Sequence, residues 1–220
     1  MEQDRMMYWN TVNEILRESL QVLMEADVLK EFRLVGGTAL SLQLGHRVSV
    51  DIDLFTDAEY GTVDFETIET FLESAFPYLD KGFGTGLPVG MGKSYLIGTD
   101  RDNTVKLDLY YTDPFITPAL EEQGVRMAGP QEIIAMKMDI IQRGGRKKDF
   151  WDLHELMEHF SIKEMISLHK QRYPYSHDEA LLRNNFTEFS LADMDFEPIS
   201  LRGYYWELIK EDITEAMRNL

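Results

Sequence analysis

The chain has no cysteine, which excludes disulfides and thiolate metal sites and suits a reducing compartment. No apolar run approaches the roughly 18 residues of a membrane span, and residues 1–8 are acidic and mixed, not a basic stretch leading into an apolar one. Neither a secretory signal nor a membrane partner is expected, and a cytoplasmic location follows as the default. Positive charge is scarce: 22 Lys and Arg stand against 39 Asp and Glu, a formal net charge of −17. Proteins that coat nucleic acid by charge alone have the opposite balance. Nucleic acid would have to be met at a local basic patch, and an acidic surface also suits a basic protein partner. Repeats and low-complexity tracts are absent too. What is present supports a packed core, with 44% hydrophobic and 28% charged residues over 220 positions. That length suits one large domain, or a domain with a helical extension.

Hydrophobic spacing predicts an amphipathic helix over 6–28, carried by Met6, Trp9, Val12, Leu16, Leu20, Leu23 and Met24. A short strand over 32–35 runs into Gly36-Gly37, and Thr38 is the expected N-cap of a helix to about Leu44. Residues 48–55 alternate as a strand, 65–76 read as a helix, and 94–97 and 104–111 read as further strands. The glycine-rich stretch between Gly82 and Gly92 reads as a mobile loop. Beyond Pro130 no strand is expected, and helices are predicted over 131–142, 147–160, 162–172, 177–185 and 203–219. The expected class is α+β: a mixed core with its N-terminal helix over 1–128, then a helical region over 129–220.

The strand Val48-Ser49-Val50-Asp51-Ile52-Asp53-Leu54-Phe55 puts Asp51 and Asp53 on one face and Val48, Val50, Ile52 and Leu54 on the other. Two carboxylates whose Cα atoms lie about 7 Å apart repel unless a cation lies between them. A hard divalent ion, completed by substrate phosphates, is one answer; a half-exposed solvated strand is the other. Upstream, Leu34-Val35-Gly36-Gly37-Thr38 joins a strand to a helix through two glycines. Such a turn lets backbone approach a phosphate beside free helix N–H groups, and Thr38 could add a hydroxyl contact, although strand–Gly-Gly–helix turns are commonly structural. Asp108, in the strand over 104–111, offers a third carboxylate, with Lys106 on the same side as an ordinary solvated face would have it. Three carboxylates beside a phosphate cradle are what nucleotidyl transfer with two Mg2+ ions uses.

Taken together, Gly36-Gly37-Thr38-Ala39-Leu40 and the run from Leu44 to Phe55, with His46, Arg47 and Ser49 inside it, resemble the AbiEii/AbiGii-type nucleotidyltransferase toxins of the polymerase-β-like superfamily. The similarity continues through Lys137, Arg143 and Lys148-Asp149-Phe150-Trp151-Asp152-Leu153. It implies a polymerase-β-like core with a helical C-terminal half, transfer of a nucleoside monophosphate from an NTP, and Mg2+ held by Asp51, Asp53 and Asp108. It implies an acceptor such as the 3′ end of tRNA and a possible antitoxin partner. By the same resemblance Lys137 would contact the triphosphate and Asp149 would be an essential acid. Gly36, Gly37, Thr38, Arg47, Ser49 and Lys148 would form the nucleotide-binding set. Read without the family, Lys137 is also an exposed helix position, and Asp149 and Asp152 also read as acids favoured in the first turn of a helix. A protein acceptor, or a homologue that binds nucleotide or antitoxin without catalysis, fits the same motifs.

The densest basic cluster is Arg143-Gly144-Gly145-Arg146-Lys147-Lys148; it is the one place where RNA or a triphosphate would find concentrated positive charge, or else a solvated helix junction. The five histidines (His46, His154, His159, His169, His177) lack zinc-ligand spacing, and no zinc site is expected.

Overall fold

A computed structural model describes residues 7–82 and 90–220. The chain opens with a 3-10 turn, Trp9–Thr11, and helix α1, Glu14–Glu25. Asn13 starts that helix by accepting the Leu16 N–H at 2.9 Å. The single helix expected over 6–28 is therefore shorter at both ends, because this cap and the 3-10 turn Asp27–Leu29 close it. Met6, and most of the glycine-rich loop at 83–89, lie outside the described residues. Strand β1, Arg33–Leu34, is followed by helix α2, Gly36–Leu44, then strand β2, Asp51–Thr56, and helix α3, Phe65–Ala75. Strands β3, Tyr78–Asp80, β4, Gly92–Asp100, β5, Asn103–Tyr111, β6, Leu120–Glu122, and β7, Val125–Met127, complete the sheet.

Among the described residues these strands form one mixed sheet in the order β3-β4-β5-β2-β1-β7-β6. Its centre is the parallel pair β2 and β5, in register from Asp51↔Lys106 to Thr56↔Tyr111. The other neighbours are antiparallel, except for the parallel bridge between β1 and β7. Alternation holds within both central strands: Ile52, Leu54, Val105, Leu107 and Leu109 are buried under α1, and the acidic side chains face the opposite way. It fails just upstream. Val50 is exposed, and residues 46–48 leave the sheet to pair with 199–201 through Val48 N–H to Ile199 O and Leu201 N–H to His46 O, both 2.9 Å. The expected strand over 48–55 thus begins only at Asp51.

The helical half comprises α4, Pro130–Gln142, α5, Lys147–Leu156, α6, Ile162–Arg172, α7, Glu179–Asn185, α8, Ser190–Asp193, and α9, Trp206–Arg218. No named strand follows Met127, as the sequence predicts. α4 contacts α2, α5, α6 and α7, and α5 contacts α2 and α9, so the turn and helix after β1 are backed by the C-terminal helices. One continuous buried cluster runs from Met7 to Ile213 across the change from sheet to helices. The mixed sheet with its flanking helices is the expected α+β class. No helix among the described residues is long and apolar enough to cross a membrane.

Candidate active site

Asp51 and Asp53 share the polar face of β2, and the register sets Asp53 directly opposite Asp108 on β5, with Lys106 opposite Asp51. The three expected carboxylates therefore meet on one patch of two adjacent strands. Asp108 is the more enclosed, its side chain 16% exposed against 34% for Asp51. Burial, followed by the charges of Asp108 and Asp51, pushes the Asp53 carboxyl up to about 6: a proton is the default answer to crowded, buried negative charge.

The glycine turn lies over this patch. Val35 N–H donates to Asp53 O at 2.9 Å, which ties the turn to β2. Gly36 then adopts φ +67°, and a Cβ there would stand 3.0 Å from Asp53 Oδ2, so glycine serves both the backbone conformation and the close approach. A Cβ on Gly37 would overlap the Arg47 guanidinium. Thr38 is not the N-cap; Val35 takes that position and Thr38 lies in the first turn of α2. Its hydroxyl donates to Asp51 O and pairs with the Ser49 hydroxyl at 2.8 Å, with both residues buried. Thr38 and Ser49 thus clamp the start of β2 and present no free hydroxyl to a phosphate.

Arg47 and Lys137 do not face the carboxylate patch either. Arg47 donates through Nε and Nη2 to the two oxygens of Asp152 at 2.6 and 2.8 Å, and His46 Nε2 joins Asp152 Oδ1 at 2.8 Å. Lys137 is no exposed helix position but is buried, bridging Asp149 at 2.7 Å and Asp152 at 2.6 Å. Arg146 closes the set with Nε to Asp149 Oδ2 at 2.9 Å. Burial alone disfavours the charged forms of Asp149, Asp152 and Lys137. It pushes Asp152 up, but Arg47 and Lys137 override it and hold Asp152 well below the carboxylate range. Asp149 is likewise lowered by Lys137 and Arg146, and Arg47 and Lys137 are raised by the two carboxylates, all against burial. The network pins the turn before β2 to α4 and α5. Asp152 is its hub, and sequence reasoning does not single it out as a site residue.

The basic cluster is divided by the fold. Arg143 pairs with Asp139 on the surface, and Lys147 is buried with its ammonium 5.4 Å from the Trp206 ring centre. Arg146 and Lys148 remain at the acidic patch. Lys148 is 41% exposed and 3.8 Å from Asp51, and burial and Arg146 lower its pKa against the pull of Asp51. Of the expected nucleotide contacts, Gly36, Gly37 and Lys148 border the patch, whereas Thr38, Arg47 and Ser49 are used in building it.

The donor set suits a hard cation: it is all oxygen and crowded, with three acids facing the ammonium groups of Lys106 and Lys148. Asp108 Oδ1 is buried with no hydrogen-bond partner. As the side chains stand, no group of three or more His, Cys, Asp or Glu among the described residues closes around one point. Asp108 turns Oδ2 to Lys106 at 2.5 Å instead.

Comparison with known proteins draws on both halves of the chain. Residues 19–217 match the family described as "Nucleotidyl transferase AbiEii toxin, Type IV TA system". The uncharacterized protein aq_aa25 of Aquifex aeolicus (strain VF5) is 29% identical over 206 residues, covering 89% of this chain and 90% of that one. Among solved structures, JHP933 from Helicobacter pylori superposes with a TM-score of 0.59 at 19% identity over 93% of this chain and 88% of that one. MenT4, a nucleotidyltransferase toxin from Mycobacterium tuberculosis, gives a TM-score of 0.59 at 14% identity over 93% and 82%. At such identities the two structures speak to the fold, and the family match carries the activity class.

Proposed function

The chain belongs to the AbiEii nucleotidyltransferase toxin family, and on that premise we propose that it moves a nucleoside monophosphate from an NTP to an acceptor hydroxyl at the patch of Asp51, Asp53 and Asp108, with Mg2+. One observation carries the reading: the parallel register that sets Asp53 against Asp108 beneath the Gly36 turn. In the reaction the acceptor oxygen forms a bond to the α-phosphorus, the bond from that phosphorus to the α–β bridging oxygen breaks, and pyrophosphate leaves. Bound Mg2+ supplies charge neutralisation for the phosphates and lowers the pKa of the attacking hydroxyl.

The chain's own part is to hold and aim. Asp51, Asp53 and Asp108 supply the oxygens, and Asp108 Oδ1, unpartnered, is available to an ion or to the acceptor's proton. Gly36 and Gly37 allow backbone to approach the triphosphate. Lys148 and Arg146, from the start of α5, offer positive charge to the leaving pyrophosphate. Lys137 and Asp149 act one layer behind, fixing α4 and α5 relative to the turn. The RNA 3′ end of a tRNA is the acceptor favoured by the family, met at the Arg146–Lys148 patch; a cytoplasmic setting and a cognate antitoxin belong to the same reading. The net charge of −17 favours a protein side chain as the second candidate acceptor.

Calorimetric titration of ATP, CTP, GTP and UTP with Mg2+ into wild type and Asp51→Asn/Asp53→Asn tests the site. Mg2+-dependent binding of one nucleotide, lost in the double variant, is the expected result. Equal binding by both proteins would remove the carboxylate patch from the mechanism. Labelled nucleotide with cell extract, split into RNA and protein fractions, then separates the two acceptors.

A further inference from the structure

Among the described residues, Lys106 is the one cation in contact with the carboxylate patch that the proposed chemistry leaves unused. It precedes Asp108 by two residues on β5 and so shares its face. In register it sits opposite Asp51, diagonal to Asp53, with Nζ 2.5 Å from Asp108 Oδ2. Its ammonium thus holds Asp108 directly and stands beside Asp51 and Asp53, while Lys148 approaches the patch from the side of Asp51.

The contrast with Lys137 fixes what kind of contact this is. Lys137 is 4% exposed, with two carboxylates closed around it; withdrawing it would strand buried charge. Lys106 is 47% exposed on a flexible stem and holds one oxygen of Asp108 while the other, buried, has no partner. An exposed lysine pair is cheap to break because the ammonium returns to water. The carboxylate it leaves is half prepared for another ligand.

We propose that Lys106 keeps the cation's place: its ammonium holds Asp108 and offsets part of the negative charge of the patch while no metal is bound, and swings out to solvent when a divalent ion arrives. The inference rests on the carboxylate patch being the metal site. The lysine eases the repulsion of three adjacent carboxylates in the empty site, at the cost of a weaker hold on the ion, since every binding event must displace it.

Lys106→Met keeps the stem and removes the charge. Titration of Mn2+ without nucleotide should show Lys106→Met binding about threefold tighter than wild type, the factor expected when one half-exposed ion pair no longer has to be broken. In EDTA the variant should melt below wild type, and saturating Mg2+ should erase that difference. Unchanged Mn2+ affinity, or a melting deficit that persists unaltered with Mg2+, would overturn the proposal and leave Lys106 as an ordinary strand residue. Asp53→Asn is titrated in parallel. Should wild type and Asp53→Asn both fail to bind Mn2+, the patch is not the metal site and both readings fall together; binding by wild type alone, with Lys106→Met unchanged, sinks only this one.

Discussion

Replacing Asp152 by Asn keeps the shape of the side chain and removes one negative charge from the middle of the molecule. Asp152 is fully buried, and its two oxygens receive Arg47 twice, Lys137 once and His46 once. Without the charge, Arg47 keeps no carboxylate in direct contact and Lys137 keeps only Asp149. Removing one partner of a buried pair typically costs about 3–5 kcal/mol, because the charge left behind cannot reach water. In a chain of this size each kcal/mol moves the melting temperature by about 2–4 °C, so a drop of roughly 6–20 °C is expected. Lys137→Met should cost clearly less, since Arg47 still holds Asp152 and Arg146 still holds Asp149. The double variant restores the balance of sign, so the two changes should be non-additive by about 1 kcal/mol or more. Urea unfolding followed by circular dichroism at neutral pH measures all three. A loss below about 1 kcal/mol for Asp152→Asn, or strict additivity, would refute the claim that this network holds the two halves together. The pH dependence carries a sign as well. Asp149 and Asp152 titrate below the usual carboxylate range, so their stabilisation is complete above about pH 4 and is lost as pH falls through the folded values. Wild type should therefore unfold in acid more steeply than Asp152→Asn.

Asp53 has the opposite sign. Burial raises its carboxyl to about 6, so the folded chain keeps the proton longer than the unfolded one, and metal-free wild type should lose stability as pH rises from about 4 to 6. Asp53→Asn removes that loss and should be more stable than wild type at pH 8 in EDTA, by about 1–3 kcal/mol, while turnover disappears; an equal or lower stability there counts against the crowding argument. Mg2+ affinity of the wild type should also weaken below pH 6, measurable by the same titration. Gly36→Ala forces a Cβ into a left-handed backbone position 3.0 Å from Asp53 Oδ2. It should cost about 1 kcal/mol in stability yet abolish most turnover, and a variant with full activity would mean that the turn does not approach the substrate.

The central strands and the three acids were readable because both signals are local: alternation over 51–56 and 103–111, and carboxylates placed at even spacing on the polar side. Strands β3, β6 and β7 have three residues each, too short to show a period. Thr38 shows where pattern misleads. A hydroxyl after two glycines reads as a cap, but tertiary contact with Ser49 and the Asp51 carbonyl turns it inward. The inner network was hidden for a different reason. Charged residues default to the surface, and Lys137 reads as exposed until its spacing with Ile134, Met138 and Ile141, all buried, is followed around α4. That face was the available signal. Asp152 offered no comparable one, since its partners His46 and Arg47 lie more than a hundred positions upstream.

The order in which the ribosome delivers these parts has a consequence of its own. β2 emerges with two acids on one face, but its parallel neighbour β5 is made only after α3, β3 and β4. The residues that lock the preceding turn follow on α4 and α5, and the backbone partners of residues 46–48 come at 199–201. The contacts with β5, with Asp152 on α5 and with residues 199–201 each close a long loop, so none of these can form from a short nascent piece. A chain interrupted after about two thirds of its length carries every acidic residue of the patch and lacks the partner segment that holds the turn before them. On the proposed function this amounts to late arming: the patch takes its full geometry only once nearly the whole polypeptide is available to fold.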